Sequence, residues 1–318
     1  MEKIRLGRTR LMVSRSGFGA IPIQRLDKND AGRLLRKAYE SGINFFDTSR
    51  SYTDSEEKIG LALADVRGEI ILATKNKGTD RQKVLELLET SLKNLKTDYV
   101  DLLQLHNLKA PLDPDDPDGP YRGLLAAREK GMARFIGMTT HRRDIAVEAA
   151  SSGLYDTVQF PLCMISSEKD LDLIGVCREK EIGLIAMKAL SGGLITNAAA
   201  AFAFLRQFDT VVPIWGIQFE RELVEFIALE KNPPPLDDAM RRVIERDRAE
   251  LAGDFCRGCG YCLPCPAGIP ISQAARMSLL LRRTLVSRFL TDECKRGMAK
   301  IRECQECGHC REQCPYEL

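Results

Sequence analysis

The chain has 318 residues, 29% of them charged, and a formal net charge of +2 at pH 7. That length suits one large domain plus a small one, or two medium ones, and the interspersed charges mark the whole molecule for neither nucleic acid nor a membrane surface. No run approaches the roughly eighteen apolar residues of a membrane span, and the opening MEKIRLGRTRLMVS lacks the apolar stretch of a signal peptide, so a cytoplasmic protein is expected.

From Ile4 to about Glu230, short apolar runs alternate with segments of helical period. Candidate strands are SGFGA from Ser16, INFFD from Ile43, IILAT from Ile70, YVDLLQL from Tyr99, RFIGM from Arg134, TVQF from Thr157, GLIAM from Gly183 and TVVPI from Thr210. Helices are expected over 28–41, 55–66, 80–95, 122–131, 142–152, 168–180, 197–208 and 221–230. Thr79 with Gln82 predicts a capping box, while Gly42, Gly131, Gly153 and Gly183 predict stops. Eight alternations with no GxGxxG predict a closed (β/α)8 TIM barrel over 1–232 rather than an open doubly wound sheet. APLDPDDPDGPYRG from Ala110 is a Pro/Asp loop on the face where such barrels build their sites. KNPPPLDD from Lys231 then ends the pattern, because consecutive prolines cannot sit inside a helix. A linker and helix over 233–254, the helix running from Asp237 to Ala252, lead to a last unit at 255–318.

Asp47 and Tyr52 lie at or after the end of the second candidate strand, Lys75 after the third and His106 after the fourth. A barrel gathers such positions at one mouth. The four suit the reduction of a carbonyl: hydride arriving at carbon leaves charge on oxygen, which a phenol can protonate if its pKa is lowered. A buried Lys75 ammonium beside Tyr52 would lower it, Asp47 would keep Lys75 charged, and His106 would orient the carbonyl. Singly, each has an ordinary explanation as a core or solvated side chain.

Through LGRTRLMVSRSGFG, GINFFDTSRSYTDSEEKIG, ATK and LLQLH, in that order, the first 230 or so positions resemble the aldo/keto reductase family. The resemblance implies a barrel with NAD(P)H extended across its mouth and a catalytic tetrad of Asp47, Tyr52, Lys75 and His106. It also implies that Thr139, Thr140 and Gln159 meet the nicotinamide carboxamide, and that Met187 stands where an aromatic ring often stacks. Gly193 and Leu194 would lie on the pyrophosphate side. Gly216, Gln218, Arg221 and Glu222 belong to the adenosine-phosphate segment, where the family's cationic cluster is thin and the choice between NADPH and NADH stays open.

Nine of the eleven cysteines stand beyond residue 255, which in a reducing compartment favours metal ligation over disulfides. Cys304, Cys307, Cys310 and Cys314, with Pro315 following, form the CxxCxxCxxxCP run of bacterial ferredoxins; Cys256, Cys259, Cys262 and Cys265 form a tighter one. In two-cluster ferredoxins the fourth cysteine serves the other cluster, so Cys256, Cys259, Cys262 and Cys314 are assigned to one [4Fe-4S] cluster and Cys304, Cys307, Cys310 and Cys265 to a second. Zinc and a single cluster are the alternatives. Cys163, Cys177 and Cys294 fall outside the spacing and are expected to be ordinary thiols. Barrel and tail together resemble an iron–sulfur subfamily of aldo/keto reductases with a helical ferredoxin-like C-terminal domain. A reductase or dehydrogenase of small carbonyl or alcohol substrates is expected, with room for a redox partner protein. An electron-transfer or redox-sensing protein that keeps the barrel as a nucleotide platform is the alternative. No flavin motif is present, and the basic LRRTLVSRFL segment is expected to be a solvated helix face.

Overall fold

The structure is a computed structural model that describes residues 1–251, 255–283, 286–314, 316 and 318. It opens with a hairpin, β1 (Lys3–Arg5) against β2 (Met12–Ser14), with Ile4 opposite Val13. Eight parallel strands then close a barrel: β3 (Gly17–Gly19), β4 (Phe45–Asp47), β5 (Ile71–Asn76), β6 (Val100–Leu105), β7 (Ala133–Thr139), β8 (Thr157–Pro161), β9 (Gly183–Met187) and β10 (Val211–Gly216). The barrel expected from the alternation is the barrel observed.

Between the strands run α1 (Lys28–Glu40), α2 (Ser55–Leu63), α3 (Arg81–Leu95), α4 (Pro120–Glu129), α5 (Arg143–Ser151), α6 (Glu168–Glu179), α7 (Ala198–Arg206) and α8 (Glu220–Lys231). Strand side chains alternate between two cores. Phe46, Leu72, Leu103, Ile136 and Val158 face outward and pack with helix residues such as Leu35, Leu88 and Leu124. Phe45, Ile71, Ala73, Leu102, Ile185, Val212 and Ile214 fill the barrel interior. Ile4, Leu6, Leu11 and Val13 of the hairpin join that inner core, so the N-terminal end of the barrel is closed.

Two local expectations are corrected. The cap of α3 is Asp80, whose side chain accepts from Lys83 N at 2.8 Å, because a carboxylate one residue nearer the helix displaces the Thr79 capping box. Gly42, Gly131 and Gly153 do turn the chain with positive φ, but before β9 that turn is made by Glu181, at φ 54°. Gly183 instead opens the strand, where a Cβ would lie 2.8 Å from the Leu6 side chain.

The prolines after Lys231 end α8 as expected, and α9 (Asp238–Glu250) starts on Asp237, which accepts from Met240 N at 2.9 Å. Ala252, the expected end of that helix, lies outside the described residues. The stretch between the cysteine runs holds α10 (Ile271–Ala274), α11 (Met277–Arg283) and a single turn at 286–289; Thr284 and Leu285 lie outside the described residues. Two further helices, α12 (Asp292–Ala299) and α13 (His309–Glu312), complete the tail, and Pro315 lies outside the described residues. No helix among the described residues is long and apolar enough to cross a membrane.

Candidate active site

Strand register brings the tetrad together. Asp47 of β4 pairs with Ala73, and Lys75, two residues on in β5, pairs with Gln104 of β6. All three face the barrel interior, just inside its C-terminal end. Lys75 Nζ donates to Asp47 Oδ2 at 2.6 Å and to the Thr48 carbonyl at 2.6 Å, and the ion pair is buried. Burial pulls the Lys75 pKa down and pushes that of Asp47 up, and the attraction between the two charges opposes both shifts.

Tyr52, in the turn before α2, sits over this pair with Lys75 Nζ 5.4 Å from its ring centroid. The His106 ring meets it edge-on, centroids 5.8 Å apart and planes at 84°. The Tyr52 hydroxyl has no hydrogen-bond partner among the described residues, which leaves it open to an incoming carbonyl. The expected lowering of its pKa is not met: burial first, then the negative charge of Asp47, push it up. The Lys75 ammonium is directed at Asp47 and the Thr48 carbonyl, which is the physical reason. His106 is held well below the usual histidine range by burial and then by the positive charges of Lys75 and Lys77, so its ring is neutral at pH 7.

Three participants escaped the sequence reading. Gln104 donates to Gln159 Oε1 at 3.0 Å and reaches Asp47 Oδ1 at 3.5 Å, tying a carboxamide-site candidate to the tetrad. Its signal was available: a polar residue in LLQLH at an inward position of the strand. Ser49 Oγ lies 2.9 Å from His106 Nδ1 and 3.1 Å from the Lys75 carbonyl. The third, His141, meets the tail: its Nδ1 is 3.2 Å from the Tyr261 hydroxyl, and its ring is edge-on to both Tyr261 and Tyr316.

The remaining nucleotide candidates lie around the same mouth. Thr139 and Gln159 face each other across β7 and β8, and Thr140 donates to the Leu108 carbonyl at 2.8 Å. Met187 packs on the inner core from the end of β9. Gly192 and Gly193 both have positive φ; the Gly192 carbonyl accepts from Arg276, and Leu194, fully buried against Leu251 and Leu280, accepts from Arg283. Past β10, where Gly216 is exposed, Glu222 caps α8 by accepting from Gln218 N at 2.8 Å and Phe219 N at 3.0 Å. Gln218 accepts from Arg25, and Arg221 stacks on Phe219.

The tail is fastened over this mouth. Arg283 pairs with Asp247 of α9 at 2.6 Å, both largely buried, and Lys109 donates to Gln313 at 2.6 Å. Cys265, Cys304, Cys307 and Cys310 line one hollow of about 390 Å3. Burial raises the Cys259 thiol, and among the charges that act on it are Lys188, Cys256 and Cys314, so the last cysteine lies beside the first run. No three His, Cys, Asp or Glu side chains among the described residues stand close enough to grip a single metal ion. Cys294 is buried and accepts from Gln273.

A parallel barrel with a buried lysine–carboxylate pair beneath a tyrosine and a histidine defines a barrel oxidoreductase. The chain belongs to the aldo/keto reductase family, which it matches over residues 16–206, and residues 255–318 match a 4Fe-4S dicluster domain. It is 32% identical over 212 residues to L-galactose dehydrogenase of Arabidopsis thaliana, covering 60% of this chain and 66% of that protein. It is 31% identical over 213 residues to the uncharacterized oxidoreductase YqkF of Bacillus subtilis, covering 62% and 67%. The chain thus spans about two thirds of the length of these relatives. Among solved structures, a holo-form aldo-keto reductase from Bacillus halodurans superposes with a TM-score of 0.68 at 21% identity, covering 78% of this chain and 96% of that one. One from Klebsiella pneumoniae in complex with NADPH gives 0.67 at 18% identity, covering 77% and 94%.

Proposed function

We propose that this oxidoreductase interconverts a carbonyl compound and its alcohol with NADPH or NADH, Tyr52 being the proton donor in reduction. The carrying observation is the buried Lys75–Asp47 pair beneath a phenol and a neutral imidazole at one barrel mouth. The nicotinamide, when bound, supplies hydride to the carbonyl carbon. Tyr52 keeps its proton until charge develops on the carbonyl oxygen, then gives it up to that oxygen. Lys75 offsets the negative charge left on the phenol. When the Ser49 hydroxyl turns its hydrogen from the Lys75 carbonyl to His106 Nδ1, the ring hydrogen sits on Nε2, from where it would orient the carbonyl. Thr139, Thr140 and Gln159 would hold the carboxamide and Met187 would pack on the ring. Gly193, Leu194, Gly216, Gln218, Arg221 and Glu222 would line the rest of the nucleotide, a reading supported by the NADPH complex of the Klebsiella enzyme.

For the tail, Cys256, Cys259, Cys262 and Cys314 would hold one [4Fe-4S] cluster, and Cys304, Cys307, Cys310 and Cys265 the other. The hollow shared by the second set and the approach of Cys314 to Cys259 support this crossed assignment. Clusters supply electrons singly, or stability through metal-coupled folding, and a redox protein would be the partner in the first case. The contact of Tyr261, between two cysteines of the first run, with His141 favours a second reading: the state of the clusters regulates the barrel site.

The test is Tyr52→Phe in protein purified without oxygen. Carbonyl reduction should fall by about 10²–10⁴-fold with iron and sulfide content unchanged. Undiminished reduction would sink the proposal.

A further inference from the structure

A hollow of about 300 Å3 opens directly on His106. One wall comes from the barrel, with Asn76, Lys77, Asn107 and Lys109; the other comes from the tail, with Tyr261, Leu263 and Gln313. Both walls are fixed relative to each other, by Lys109 donating to Gln313 and by Lys77 lying 5.7 Å from the Tyr261 ring centroid. The volume is at the small end for a ligand pocket and suits a molecule of a few carbons.

Its charge is one-sided. No Asp or Glu lines it, and neither Lys77 nor Lys109 has an ion-pair partner among the described residues. The Lys77 ammonium acts on His106 itself, where it helps to keep the imidazole uncharged. Two cations without counter-charges at the rim of a partly desolvated hollow raise the local concentration of anions and repel cations. Asn76 is committed to the Val84 carbonyl and the Gly78 amide, and Lys109 keeps its charge unpaired while it donates to the neutral Gln313.

We propose that the substrate is a short aldehyde or ketone carrying a carboxylate or a phosphate, its anion held at Lys77 and Lys109 while its carbonyl lies at Tyr52 and His106. The proposal rests on the carbonyl-reductase reading above. In the step it implies, hydride from the reduced nicotinamide bonds to the carbonyl carbon and the Tyr52 proton bonds to the oxygen. The C=O π bond breaks, the nicotinamide is oxidised, and the phenol regains its proton from water. The substrate's anion is unchanged throughout.

The experiment compares kcat/KM for butanal, succinic semialdehyde, glyceraldehyde and glyceraldehyde 3-phosphate in the wild-type holoprotein and in Lys77→Met and Lys109→Met. At least one charged aldehyde should exceed its neutral counterpart by about tenfold or more, and the ratio should shrink by about tenfold in Lys77→Met. Which pair shows the preference separates carboxylate from phosphate. Equal values for charged and neutral aldehydes, or a ratio that neither lysine substitution alters, would overturn the proposal and leave carbonyl reduction standing. Calorimetry with succinate and inorganic phosphate reads the anion site without turnover. Binding that weakens in Lys77→Met supports the site even if no aldehyde is reduced, whereas no binding of either anion together with no reduction rejects both.

Discussion

Lys75 Nζ stands 2.6 Å from Asp47 Oδ2, with the two side chains 1% and 2% exposed. Such a pair stays charged only because each partner offsets the other's lost hydration. Asp47→Asn should therefore cost about 3–5 kcal/mol in urea unfolding. The double variant Asp47→Asn/Lys75→Met should cost less than the sum of the two single changes; simple additivity would mean that the ions do not depend on each other.

The raised Tyr52 pKa and the depressed His106 pKa imply that neither group titrates near neutrality. The kcat for carbonyl reduction should be level between about pH 7 and pH 9. An ionisation within that window, lost in Tyr52→Phe, would show that the phenol is activated after all.

His106 and His141 are both held below the usual histidine pKa, in each case chiefly by burial. The folded protein keeps them neutral while the unfolded chain takes up protons near pH 6.5, so their contribution is complete above that value and declines as the solution is acidified through it. Each should remove at most about 1.4 kcal/mol of stability per pH unit below about 6.5. Denaturation midpoints at neutral and mildly acid pH should converge in His106→Asn relative to wild type; an identical acid loss in both would contradict the assignment.

Glu222 accepts the backbone hydrogens of Gln218 and Phe219 just before α8, in the segment proposed to meet the adenosine phosphate. A carboxylate there favours a ribose hydroxyl and repels a 2′-phosphate. NADH should be preferred over NADPH in kcat/KM, and Glu222→Ser should move the ratio toward NADPH by about tenfold. A wild-type preference for NADPH that survives the substitution would place the phosphate elsewhere.

The proposed cluster assignment gives the cysteines different roles. Cys310→Ser, in the hollow with Cys265, should lower iron and sulfide by about half, as expected for loss of one of two clusters. Cys294→Ser, at a thiol that only accepts from Gln273, should change neither. Equal loss in the two variants would undo the separation.

The barrel was legible because its signals are local: strand patterning, helix period and prolines act within a few residues of one another. Asp47, Lys75 and His106 could be nominated because strand ends of a barrel share a mouth. Gln104, two residues before His106 in LLQLH, joins the site through the strand register that sets it beside Lys75, which the sequence does not carry. Gly183 is a glycine because Leu6 leaves no room for a Cβ, a contact between segments far apart in sequence, while Glu181 makes the turn before β9. The seating of Tyr261 on His141 was illegible for the same reason, since docking of one unit on another leaves no period in either.

The hairpin β1–β2 makes the barrel a blind sac. With that end closed, the opposite mouth, beside which barrel and tail enclose the hollow at His106, serves both arrival and departure. Entry and exit therefore share a gatepost in Tyr261, and a shift of that loop would slow both directions alike without touching a reacting atom.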